Sequence, residues 1–183
     1  MLVERVITTE QRAELQAFFA GEFDDIAPNA IPAIENDALF DPYMYAIRPE
    51  PDCSIAAGLI TCRYLPIVGA VQANMPGAAN VAERHSWIDL IATSPEAQSL
   101  GYASALMTAA ELDLTQAGIR AWIGCVDSDG DEQALRTFYA DRGFTVTENG
   151  ESIPPLLGFP NWAAGHEDVR FYFYKRPAAE PPH

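Results

Sequence analysis

The sequence predicts a single α/β domain in which a mixed sheet carries helices on its faces, and three observations lead there. Apolar segments of strand character alternate along the chain with segments of helical period. The 183 residues suit one domain, read as residues 1–176 followed by a frayed tail over 177–183. Hydrophobic residues make up 49% of the chain, enough for a core, and 12 Gly and 14 Pro without a fixed period exclude collagen-like and disordered classes.

The elements follow in order. Residues 2–8 alternate as a strand, and Thr8 with Gln11 forms a capping-box pattern that opens a helix with Leu15, Phe18 and Phe19 on one face. An acidic, proline-interrupted region covers 21–42. Residues 43–48 and 54–65 read as a hairpin around the turn Pro49-Glu50-Pro51-Asp52. The apolar stretch 64–82 is broken by Pro66, Gln72, Asn74, Pro76 and Asn80, so it reads as strand plus loop and not as a membrane span, which needs about 20 apolar residues. A strand over 86–92 is followed by Pro95, a helix over 102–117 closed by Gly118, and a buried strand over 121–126. A helix over 132–142 closed by Gly143 and two strands, 144–147 and 169–174, complete the order β-α-β-β-β-α-β-α-β-β.

Charge and cysteine content narrow the function. Eleven Lys and Arg against 26 Asp and Glu give a net charge of −15, which disfavours nucleic acid and anionic membrane surfaces and favours a cationic partner. Cys53, Cys62 and Cys125 form no CxxC pair, and with His85, His166 and His183 they offer no metal-ligand spacing. Sparse, odd-numbered cysteines and the lack of an apolar leader core in residues 1–14 suggest a cytoplasmic location. The run Asp127-Ser128-Asp129-Gly130-Asp131 lacks the spacing of a calcium loop and suits helix capping, Cys125 suits a core thiol, and Phe171 to Tyr174 suit a strand with two bulky faces.

Chemistry concentrates at Gln98-Ser99-Leu100-Gly101-Tyr102-Ala103, between a strand and a helix. Small residues there allow a sharp turn whose unpaired N–H groups, with the positive end of the helix dipole, can hold a pyrophosphate without Lys or Arg. This turn, the element order and the later Tyr139, Gly143 and Phe144 together resemble the GNAT family of acyl-CoA-dependent N-acyltransferases, over residues 87–144. Gln98, Gly101 and Ala103 fill the family's Gln/Arg-x-x-Gly-x-Gly/Ala turn, and Tyr139, Gly143 and Phe144 its Tyr-x-x-x-Gly-Phe motif.

The resemblance implies a GNAT-type, mostly antiparallel mixed sheet and acetyl transfer from acetyl-CoA, or another acyl-CoA, to an amine. It implies that Ile91, Ala92 and Thr93 present backbone groups to the pantetheine arm, that Ser99, Leu100, Gly101, Tyr102, Ala103 and Ser104 bind the pyrophosphate, and that Tyr139 serves the thioester sulfur. Two departures stand out. Ser99 occupies a place where the family often has Gly, harmless for a backbone contact, and Glu132 one where it often has Asn.

Strand alternation puts His85, Trp87, Asp89 and Ile91 on one face and Ser86, Ile88, Leu90 and Ala92 on the other, which makes Asp89, with His85 or a water chain as alternatives, the base that takes the ammonium proton. Acceptor choice falls to residues 21–42, 68–84 and 150–168, the last being an acceptor-side wall, a lid or a homodimer contact. Glu22, Asp24, Asp25, Glu35 and Asp37 favour a cationic amine, small or on a protein. The alternative is a non-catalytic acyl-CoA sensor or interaction protein on the same fold.

Overall fold

The computed structural model describes residues 2–127, 130–160, 162 and 168–177. Its strands are β1 Leu2–Arg5, β2 Tyr43–Arg48, β3 Ala57–Cys62, β4 His85–Thr93, β5 Ala121–Val126, β6 Thr145–Val146 and β7 Phe171–Lys175. Its helices are α1 Thr9–Glu22, α2 Asp37–Phe40, α3 Leu65–Gln72, α4 Ala78–Ala82, α5 Tyr102–Gln116 and α6 Glu132–Ala140. The sheet order is β1-β2-β3-β4-β5-β7-β6. The pairs β1–β2, β2–β3, β5–β7 and β6–β7 are antiparallel. The chain divides into two compact units, Met1–Arg63 with Ile88–Leu114, and Tyr64–Trp87 with Thr115–His183.

In the first unit the expected hairpin forms with Tyr45 opposite Leu59. The expected capping box also forms: Thr8 Oγ1 accepts the Gln11 N–H at 3.2 Å, and Gln11 Oε1 accepts the Thr8 N–H at 3.0 Å. Helix α1 then lays Leu15 and Phe19, both fully buried, against Val6, Ile31, Met44 and Ile60, with Leu90 and Ala92 at the margin of the cluster. Burying each such side chain contributes roughly 1.5–3 kcal/mol. Arg12 ties the acidic region to α1 through two 2.7 Å bonds to Asp37 and one of 2.8 Å to the Pro32 carbonyl. The Asp37 carboxylate is therefore already neutralised and drops out of the acidic set proposed for a cationic acceptor.

In the second unit the expectation for 64–82 fails, because α3 and α4 replace strand and loop. Pro66 stands in the first turn of α3, where its missing N–H leaves no bond unmade. Pro76 falls between the two helices, just ahead of the α4 cap at Gly77. Ile67, Val81, Trp87, Ile123, Ile153 and Trp162 form the core here. Tyr64 stacks on Trp87 with centroids 4.3 Å apart, and Trp162, fully buried, donates its indole N–H to the Leu156 carbonyl at 3.1 Å. Ile153 and Trp162 thus anchor the described part of the segment 150–168. Strands expected over 54–65 and 144–147 are shorter, at Ala57–Cys62 and Thr145–Val146. His166 and residues 178–183 of the expected tail lie outside the described residues.

Candidate active site

Strand β4 is buried from His85 to Ile88 and opens from Asp89 to Thr93. Ile91, Ala92 and Thr93 are half-buried there and lead into a 3-10 turn, Pro95–Ala97, pinned by the Ser94 N–H on the Ala56 carbonyl at 2.9 Å. Gln98, Ser99, Leu100 and Gly101 follow, all exposed, while Tyr102, Ala103 and Ser104 are half-buried at the start of α5. The first helical bond runs from the Ala105 N–H to the Gly101 carbonyl at 3.0 Å, so the N–H groups of Gly101, Tyr102 and Ala103 precede the ladder.

Backbone angles sharpen this picture. Gly101 has φ +81 and Ser99 φ +63, two left-handed residues flanking Leu100. Alternation of this kind curls successive N–H groups into an anion-binding concavity. Ser99 is consequently more than a neutral replacement for Gly: an L-residue pays about 1–2 kcal/mol for that conformation. Residues 94–104 contain no Lys or Arg, so the positive potential at this turn comes from backbone donors and the dipole of a 15-residue helix.

Asp89 is exposed, yet lost hydration among its crowded neighbours pushes its carboxyl up to about 6. Burial first, then the charges of Asp89 and Asp41, keep the Cys62 thiol protonated by pushing it well above its ordinary value. His85 is 1% exposed and occupied at both nitrogens: Nε2 accepts the Tyr64 N–H at 2.9 Å, and Nδ1 meets the Val81 carbonyl at 2.8 Å. Nδ1 must carry the proton, leaving no free lone pair for base chemistry.

Tyr139 lies in the second unit, 3% exposed, with burial raising its phenol above the ordinary range. Its ring stacks on Phe173 with centroids 3.5 Å apart and 14° between planes. Phe173 in turn lies over Gly124, its register partner on β5, where an added Cβ would stand 2.3 Å from the Phe173 ring. A glycine inside a strand often marks such a close approach. That strand glycine is the sequence signal for Gly124 and Phe173, which lie in neither motif and back the Tyr139 ring.

Glu132 bonds Arg136 one turn on at 2.8 Å, and this lowers its carboxyl value. It braces α6, and Asp131 caps the same helix by accepting the Ala134 N–H at 3.0 Å. Of the acidic run before α6, Ser128 and Asp129 lie outside the described residues. Cys125 is half-buried at the edge of the second core. No group of three or more His, Cys, Asp or Glu that could hold a metal occurs among the described residues, nor does a helix long and apolar enough to cross a membrane.

Comparison with known proteins agrees with this fold. Tetrahymena GCN5 aligns over 100% of both chains with a TM-score of 0.63 at 10% identity. An acetyltransferase of the GNAT family from Staphylococcus aureus Mu50 aligns over 97% of this chain and 100% of its own, with a TM-score of 0.61 at 11% identity. N-acetylglutamate synthase from Neisseria gonorrhoeae, solved with coenzyme A and N-acetyl-glutamate, aligns over 97% of this chain and 35% of its own, with a TM-score of 0.56 at 12% identity. At these identities the likeness is one of fold. Among curated proteins the comparison found no relative. The acetyltransferase (GNAT) family, however, matches residues 17–144, well over half the sequence and inclusive of both motifs, and the chain belongs to that family.

Proposed function

We propose that the protein transfers an acetyl group from acetyl-CoA to an amine by direct attack on the thioester. The observation that carries this reading is the start of α5, where Ser99 and Gly101 turn left-handed and free N–H groups stand ahead of the first helical bond. The pyrophosphate binds there, and the peptide groups of Ile91, Ala92 and Thr93 pair with the pantetheine amides. Gln98 and Ser104 flank the turn. Coenzyme A in the Neisseria synthase supports the same cosubstrate here.

Only a neutral amine attacks, so the acceptor ammonium first gives up a proton. Asp89, with its carboxyl near 6, accepts it above that pH. Nitrogen then bonds the carbonyl carbon, the C–S bond breaks with the departing sulfur hydrogen-bonded by the Tyr139 phenol, and the second proton of the nitrogen passes to that sulfur to leave the free thiol. With its value raised, the phenol acts mainly as a donor and surrenders its proton only in part. Asp24, Asp25 and Glu35 are exposed and form no ion pair among the described residues, which favours a cationic acceptor.

Calorimetric titration with acetyl-CoA, beside CoA and desulfo-CoA, tests the first step. Micromolar binding is expected, and failure to bind at millimolar acetyl-CoA removes the proposal. Binding without thiol release across an amine library selects the sensor alternative. Equal uptake of cationic and neutral amines removes the acceptor preference.

A further inference from the structure

In a chain of net charge −15, positive side chains are scarce and their partners are informative. Arg5, Arg12, Arg48, Arg63 and Arg136 are paired with carboxylates. Arg142 and Lys175 donate to backbone carbonyls. Arg84, Arg120 and Arg176 make neither an ion pair nor a side-chain hydrogen bond among the described residues, and all three line one cleft of about 720 Å³ in the second unit. Its remaining wall includes buried Ile119 and Pro177 with half-buried Leu157.

Two further features mark this cleft. Leu157 is held at φ +54, a left-handed conformation that costs a non-glycine residue about 1–3 kcal/mol and concentrates at ligand sites. The cleft also meets the carbonyl end of α5, where Thr115 and Gly118 contribute. That end carries roughly half a negative charge, so it offsets only a small part of three guanidinium charges.

We infer that this cleft binds a small ligand bearing at least two oxyanion groups, phosphate or carboxylate, held by the forks of Arg84, Arg120 and Arg176, with an apolar portion against Ile119, Leu157 and Pro177. Guanidinium groups match both oxyanions in bidentate fashion. The volume falls within the range of about 300–1,000 Å³ typical of small-molecule sites, which favours a small ligand over a macromolecular surface. The site is independent of acetyl-CoA and stands or falls apart from it.

Titration of the full chain with inorganic pyrophosphate and with citrate, at low ionic strength, tests the inference. Saturable binding of one or both is expected at or below about 1 mM. Pyrophosphate alone identifies a phosphate site, and citrate alone a carboxylate site. Each of Arg84→Gln, Arg120→Gln and Arg176→Gln should weaken binding about tenfold, the loss of one charge-assisted bond. The triple variant should abolish citrate binding and cut pyrophosphate binding to what the α5 turn alone retains, while Arg→Lys at the same places should lose less. These side chains are exposed, so circular dichroism should match the parent, and if the triple variant fails to fold the single variants carry the test. Absence of saturation by about 10 mM overturns the inference. So does undiminished binding in the variants, or probe-independent self-association that the triple variant abolishes, which would make the cleft an interface between copies.

Discussion

Helices α1 and α5 both start after a strand in the first unit, yet their starts are built in opposite ways. At α1, Thr8 and Gln11 satisfy the orphan donors with their own side chains, and the N–H of Ile7 also bonds Gln11 at 2.9 Å. At α5 the cap is Gly101, which has no side chain to offer, and the preceding residues spend conformational freedom to aim N–H groups outward. A helix start closed by its own chain contributes stability and nothing else. One left open gives up about 1 kcal/mol of capping energy and gains an anion site.

The largest expected effect tests whether that open start only binds. Tyr139→Phe should lower kcat about 100-fold, a typical contribution of positioned proton donors, with little change in acetyl-CoA affinity. Single-turnover kinetics beside calorimetry separates the two, and unchanged turnover removes Tyr139 from the mechanism. Gly101→Val is the mirror case. A β-branched residue at φ +81 must shift the turn, and affinity should fall by about tenfold or more. Gly77→Val, at φ +82 in the cap of α4, imposes similar strain and should leave affinity intact. Equal loss in both variants would show that general destabilisation is responsible.

How far these parts were visible in the sequence depends on whether they are local. The α1 capping box, strands 43–48 and 121–126, and the turn before α5 rest on neighbouring residues, and all are found where the pattern puts them. The stretch 64–82 misleads because Leu-Pro-Ile-Val-Gly-Ala-Val is apolar on every side of a short helix, its exposed face with Leu65 included, so helical period disappears and its prolines resemble breaks when they mark helix starts. The occupied nitrogens of His85 depend on Tyr64 and Val81, and the arginine cleft gathers residues from 84 to 177. No spacing rule brings such distant residues together. Ser99 was legible as a substitution, but its left-handed backbone was not.

A smaller effect concerns the carboxylate on β4 ahead of the turn. Asp89→Asn should lower kcat/KM about tenfold above pH 6, where the parent carboxylate is ionised, and the deficit should shrink below pH 6 as the parent is itself protonated. Stability should move the other way. The folded value of about 6 lies above the unfolded one, so the native state binds this proton more tightly, and the resulting stabilisation is complete below about pH 4 and lost as pH rises through 6. The variant should therefore melt above the parent at pH 7–8 and converge with it at low pH. A pH–rate profile identical to the parent's discards Asp89 as the base.

The smallest pair returns to the two helix starts and should have opposite signs. Thr8→Ala removes the side-chain cap of α1 and should cost about 1 kcal/mol, lowering Tm by about 2–4 °C without altering acetyl-CoA affinity. Ser99→Gly relieves an L-residue at φ +63. Glycine's greater freedom in the unfolded chain takes back part of the gain, so a net rise of about 0.5 kcal/mol is expected. Because the anion contacts proposed here are backbone groups, affinity should be equal or slightly higher in the glycine variant. A drop in affinity would mean that the Ser99 hydroxyl itself reaches the ligand, and the division between a helix start that caps itself and one that binds through its backbone would then have to admit a side chain.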